Sequence, residues 1–111
     1  MRLFLKLLFG GIFVCMTTLT IRTGLSVSLS GAWPSYSANP WAIATLYDAY
    51  SGFATFYVWV VYKERTLWSR ALWFLLIMGL GNIATSFYVL IQLFLLKPEE
   101  RAESILWRQP A

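Results

Sequence analysis

Asp48 is the one acidic residue set inside a long apolar stretch, and an ionised carboxylate at membrane depth costs roughly 2.5–3.5 kcal/mol and is rarely kept without a partner. Around it Trp41, Thr45, Asp48, Gly52, Thr55, Trp59 and Tyr62 recur at alternating steps of four and three. In a helix they share one face, small and polar in its middle. Two chemistries suit such a carboxyl group. One is a proton or cation relay, or the counter-ion of a ligand. The other is structural: a carboxyl group, ionised or protonated, hydrogen-bonded by Tyr47 or Tyr50 nearby and by Asn82, Ser86 or Arg22 across a helix interface.

Two further stripes would have to face it. Gly79, Asn82, Ile83 and Ser86, flanked by Thr85, Val89 and Gln92, form one; Gly11, Cys15, Thr18 and Arg22 form the other. Small side chains let helices approach closely in a bilayer, where packing and interhelical hydrogen bonds replace the hydrophobic drive. Gly11, Cys15, Thr45, Gly52, Thr55 and Gly79 are therefore expected to be packing positions, and Asp48, Tyr47, Tyr50, Asn82, Thr85, Ser86, Arg22 and Gln92 an intramembrane polar cluster. The glycines lack the strict GxxxG spacing of a close dimer seam.

Other chemistries are excluded by residue type. The chain has no His and a single Cys, which rules out imidazole-held haem, a zinc site of His and Cys, a Ser-His-Asp arrangement and an internal disulfide. Met16 and Met78 are isolated soft ligands, too few for copper. A thiolate at Cys15 would be poorly solvated. No phosphate loop or cofactor motif is present, so the expectation is a protein that is not an enzyme, with neither metal nor cofactor.

The elements that position these residues follow from composition. At 111 residues the chain holds one domain at most; 59% of it is hydrophobic, 18% aromatic and 13% charged, with mean hydropathy +0.62. A soluble domain has about 25% charged residues, so the bilayer is the natural solvent. Three apolar runs read as transmembrane helices: 3–21, about 28 Å long as a helix; 41–62, opened by Pro40 at a first helical position; and 71–96, closed by Lys97-Pro98. An all-α, up-down-up bundle of three transmembrane helices in one membrane domain (1–111) is expected. The Ser-, Gly- and Pro-rich segment 22–40 is an outer loop, the basic segment 63–70 an inner loop, and the tail 97–111 carries a short interfacial helix or is frayed. On an estimate from the span ends, Asp48 lies roughly 5 Å outward of the centre of its span, level with Thr85 and Ser86.

The first run also has the layout of a secretory signal peptide, although such apolar cores usually run about 7–15 residues and this one is longer. Basic residues flank the runs, the pattern of topology signals rather than of a nucleic-acid-binding surface. Arg2 and Lys6, with Lys63, Arg65 and Arg70, favour a cytoplasmic start and inner loop; Arg22, Lys97, Arg101 and Arg108 oppose them, because three crossings send the tail outward. Localisation is thus expected to be integral to a plasma or inner membrane, N-terminus cytoplasmic.

The residues Pro40-Trp41, Leu46-Tyr47-Asp48-Ala49-Tyr50, Trp59, Tyr62-Lys63-Glu64, Trp73, Gly81-Asn82-Ile83-Ala84-Thr85-Ser86 and Tyr88 resemble a small membrane family, domain of unknown function 1475, over 40–96. The resemblance implies no activity, cofactor or substrate; it implies only that Asp48, Lys63, Glu64 and Asn82 belong to a shared pattern. Two functions stay open. One is a non-enzymatic membrane protein that packs on itself or as an accessory subunit of a larger complex. The other is a small oligomeric transporter or ion-conducting protein with Asp48 as its coupling carboxylate. The partners expected are the lipid bilayer and either a second copy or a membrane complex.

Overall fold

A computed structural model describes residues 2–107. It is all-helical, with five α-helices, α1 (Arg2–Ser26), α2 (Leu29–Ser37), α3 (Pro40–Lys63), α4 (Leu67–Leu80) and α5 (Asn82–Phe94), followed by a 3-10 turn, Ala102–Leu106. There is no strand among the described residues.

Local chemistry sets the helix starts. Ser28, Asn39 and Thr66 each accept backbone N–H bonds with their side-chain oxygens at the starts of α2, α3 and α4, satisfying donors that a helix leaves unpaired at its first turn. Pro40 follows Asn39 at a position where its missing N–H costs nothing. The expected outer loop therefore contains a short helix, α2, which packs on α3.

The third apolar run departs from expectation. It is two helices folded back on each other at Gly81, whose φ of 61° and ψ of −127° make it the one described residue with positive φ. The rings of Trp73 and Tyr88 lie 4.8 Å apart, whereas one continuous helix would separate those positions by about 22 Å. Only glycine adopts this backbone geometry readily, and the ring of Phe53 occupies the place where a side chain would begin, 2.9 Å from an added Cβ. Phe53 lies near the midpoint of α3, so the hairpin reaches half-way along it and returns.

Packing holds the hairpin closed. Val60, Ile77, Ala84 and Tyr88 form a buried cluster, around which Trp59, Trp73 and Phe56 meet Tyr88 edge-to-face at 4.8–6.1 Å between centroids; such pairs contribute about 0.5–1.5 kcal/mol each beyond their buried area. A second cluster joins Val89, Leu93 and Ile105 to Leu5 and Phe9 of α1.

α1 lies along α5, the most extensive helix contact in the molecule. Phe13 stacks on Phe87 at 5.4 Å, Lys6 sits 4.5 Å from the centre of the Phe94 ring, and the Arg2 guanidinium donates to the carbonyls of Leu96, Lys97, Pro98 and Glu100 at 3.0–3.3 Å. A guanidinium there lies just past the last residue of α5, where the negative end of the helix dipole favours a cation. The tail then returns to α3: Trp59 Nε1 donates to the Leu106 carbonyl at 3.1 Å and Lys63 Nζ to that of Trp107 at 2.6 Å. The tail thus shares an end of the bundle with the start of α1 and the 63–66 turn, opposite to where three consecutive crossings would send it.

Among the described residues, α1 alone is both long and apolar enough to cross a membrane, and a signal sequence passes the same test. Pro40–Lys63 has the length, about 36 Å, but Asp48 and its Tyr, Trp, Thr and Ser residues dilute its hydropathy; α4 and α5 are apolar but short. Among the described residues the run 71–96 is therefore two short helices instead of one long one, and of the three apolar runs only the first forms a helix that is both long and apolar enough to cross.

Candidate functional site

Asp48 stands two turns inside α3, where that helix passes the tip of the hairpin. It lines an open cleft of about 360 Å³ with Ala49, Gly52, Phe53, Phe56, Asn82 and Thr85. Asn82 begins α5, a helix whose start has no side-chain cap, so the positive end of a helix dipole borders the cleft at the level of the carboxylate. Thr85 Oγ1 donates to the Asn82 carbonyl at 3.3 Å and to Asn82 Oδ1 at 3.4 Å. Asp48 itself is exposed and has no hydrogen-bond or ion-pair partner among the described residues.

The expected polar cluster is therefore only partly assembled. Asp48, Asn82 and Thr85 share the cleft. Ser86 is buried, but its hydroxyl donates back into its own helix, to the carbonyls of Asn82 at 2.6 Å and Ile83 at 3.2 Å. Tyr50 donates to the Met78 carbonyl at 2.8 Å, pairing an end group of α4 instead of the carboxylate. Tyr47 is exposed beside Leu46 and Tyr50. Arg22 is exposed in the far half of α1 and makes no ion pair with Asp48; Gln92 lies on α5 two turns past Thr85, outside the cleft.

The expected packing seam inside the chain is not there. Gly11, Cys15, Thr45, Gly52, Thr55 and Gly79 are all exposed, and a Cβ added at Gly11, Gly52 or Gly79 would meet nothing within 4 Å. The reason is geometric: α1 packs on α5, α3 on α4, and α1 and α3 make no extended contact. The stripes of α1 and α3 consequently face outward. Close approach inside the chain uses Gly81 instead.

The basic end carries a second polar arrangement. Glu64 accepts from Ser69 Oγ at 2.9 Å and from the Tyr88 hydroxyl at 3.3 Å, and Arg70 Nε donates to the carbonyls of Val61 and Glu64 at 3.1 Å. Lys63, at the last position of α3 beyond its apolar span, is buried, which holds its ammonium below the ordinary lysine range against the opposing pull of Glu64 and Glu100. Tyr88 and Trp73 were visible in the sequence only as aromatic residues of an apolar run; nothing in their spacing signals that they meet. Next to this network an apolar groove of about 540 Å³ runs between Leu5 and Phe9 of α1 and Phe56 and Trp59 of α3, floored by Val89.

Fold and site together define a small all-helical protein with an apolar exterior, an uncapped half-helix and one unpaired carboxylate beside it. The chain belongs to the family described as protein of unknown function (DUF1475), whose model matches residues 5–107. The match extends past the 40–96 resemblance to include α1 and the tail. No curated protein and no solved structure matches the chain.

Proposed function

We propose that this protein is an integral membrane protein without catalytic activity that works by lateral packing, as a self-associating or accessory subunit, through the outward stripe of α3. The observation that carries this reading is the exposure of Thr45, Asp48, Gly52 and Thr55 on a helix whose surroundings are otherwise apolar. A carboxylate facing lipid would cost roughly 2.5–3.5 kcal/mol, and an open glycine face gains nothing from acyl chains, so another helix covers it. Beyond the hairpin tip, moreover, α1 and α3 continue without a helix between them; from Thr18 to Ser26 every residue of α1 is exposed. With only α2 packed on the first half of α3, the pair leaves room there for a neighbour. The bonds from Arg2 and the Phe13–Phe87 contact support α1 as a retained part of the bundle rather than a cleaved leader.

Oxidative cross-linking in native membranes tests the proposal. In a Cys15→Ser background, Gly52→Cys or Thr55→Cys should yield a covalent dimer or a foreign adduct, and Ala54→Cys, exposed on the other flank of α3, should not. Equal cross-linking at Gly52 and Ala54, or none at either, would sink the reading.

The cleft favours one alternative, an oligomeric transporter or ion-conducting protein. Broken helices whose ends border a carboxylate near the membrane midplane recur in ion-coupled transporters. In proteoliposomes Asp48→Asn would then assemble normally and abolish a pH-dependent flux; under the packing reading there is no flux to lose.

A further inference from the structure

We infer that α4 and α5 form a re-entrant hairpin that enters and leaves the membrane on one face, and that this face, holding the start of α1, the 63–70 segment and the tail, is the cytoplasmic, anionic-lipid-facing surface of the protein. The inference rests on the membrane reading above and extends it to topology and to the lipid class that meets the protein.

Length is the first ground. α4 and α5 have 14 and 13 residues, about 21 and 20 Å, against a hydrocarbon core of about 30 Å. Neither is long enough to cross it, while α1 and α3, about 37 and 36 Å, both are. The tip at Gly81 meets Phe53 near the middle of α3, which is mid-depth in the bilayer. Non-helical backbone is tolerated there only where protein or water satisfies and covers it. Here the Phe53 ring covers Gly81, the Gly81 N–H donates to Ile77, its carbonyl accepts from Thr85, and Tyr50 pairs the Met78 carbonyl.

Charge is the second, independent ground. With the hairpin folded back, Arg2 and Lys6 of α1, Lys63, Arg65 and Arg70 of the turn into α4, and Lys97 and Arg101 of the tail all gather at one end, through the bonds of Arg2 to 96–100 and of Trp59 and Lys63 to 106–107. Of the eight Lys and Arg in the described residues, Arg22 alone lies toward the other end. Three crossings would have divided these residues almost evenly; a re-entrant hairpin turns a weak bias into a decisive one, since Lys and Arg are counted in this rule and acidic residues contribute little. Arg65, Lys97 and Arg101 are exposed. Cations near a membrane surface attract anionic headgroups by an amount equivalent to roughly fivefold enrichment each.

Two measurements on the full chain test this. Single cysteines at Ser30, Leu67 and Glu99 in the Cys15→Ser background are treated with a membrane-impermeant maleimide on sealed cells and on sealed inverted vesicles. Ser30→Cys should react only from outside, and Leu67→Cys and Glu99→Cys only from the cytoplasmic side. Reaction of Leu67→Cys and Glu99→Cys from opposite sides would overturn the hairpin, and reaction of both from outside would overturn the assignment of the face. Reaction of all three from both sides would defeat the membrane reading itself. For the lipid, tryptophan emission is compared in phosphatidylcholine vesicles containing equal amounts of brominated phosphatidylglycerol or brominated phosphatidylcholine. Quenching should be greater with the anionic lipid, and the excess should be lost when Arg65, Lys97 and Arg101 are all replaced by Gln; equal quenching by the two lipids would overturn the anionic surface.

Discussion

Gly81→Ala attacks the one position on which the architecture turns. An alanine at φ 61° and ψ −127° occupies a backbone region used almost only by glycine, at about 1–3 kcal/mol. Its methyl group would stand 2.9 Å and 3.2 Å from two carbons of the Phe53 ring, and displacing that ring from a packed position adds about 1–3 kcal/mol. Stiffening of the unfolded chain returns about 0.4–1 kcal/mol. The net expectation is a loss of about 1–6 kcal/mol in the hairpin state. The chain has an escape, because alanine favours a helix interior over glycine by about 1 kcal/mol and the run 71–96 holds no charged residue. Straightening into one long helix relieves the strain. Spin labels at Leu72 and Phe94, both exposed, separate the outcomes by pulsed dipolar spectroscopy. One continuous helix holds their backbones about 33 Å apart, and the hairpin brings them to well under half of that. Gly81→Ala should lower thermal stability in detergent or populate the long distance; Gly79→Ala, with open space around it, should do neither. A Gly81→Ala protein with wild-type stability and only the short distance would refute the reasoning.

Other substitutions probe the remaining contacts. Gly52→Leu should leave the monomer fold intact, since nothing lies within 4 Å of its Cβ, while weakening self-association measured by detergent-phase sedimentation. Tyr88→Phe removes the hydroxyl bond to Glu64 at 3.3 Å and should cost about 0.5–1.5 kcal/mol, whereas Tyr88→Ala also empties the centre of the aromatic cluster and should cost about 3–5 kcal/mol in the same unfolding assay. Lys63 has its pKa lowered by burial, so between that lowered value and the ordinary one near 10.5 the unfolded chain binds the extra proton and stability rises with pH. Wild type should therefore gain on Lys63→Met as the pH is raised through the alkaline range, and a stability difference independent of pH would contradict the burial.

Much of the fold was legible in the residue order. The start of α1 and both boundaries of α3 follow from apolar length, from Asn39-Pro40 as cap and first position, and from the basic and polar residues at 63–66, whereas α1 runs on to Ser26, five residues past its expected end. Membership of this family of unknown function was legible from the Asp48, Lys63-Glu64 and Gly81-Asn82 patterns. Asp48, Asn82 and Thr85 line one cleft without a bond to the carboxylate, and helical depth alone had set Thr85 at the level of Asp48.

The reversal at Gly81 was decided elsewhere. Hydropathy along 71–96 is one-dimensional and carries no sign of direction; a glycine inside an apolar run reads equally as a helix interior, a kink or a turn. What closes the hairpin is contact between residues far apart in order, Trp73 and Trp59 against Tyr88, and Phe53 over Gly81. Everything downstream depends on that closure: the tail returns to the end that holds Arg2, the basic residues converge, α1 takes α5 as its partner, and the small stripe of α3 is left facing outward. The sequence by itself determined that the chain is helical and apolar, which are properties of local propensity and composition. Tertiary structure alone decided which helices meet and which face the surroundings, because those depend on side-chain packing across a turn whose geometry only a glycine under an aromatic ring permits.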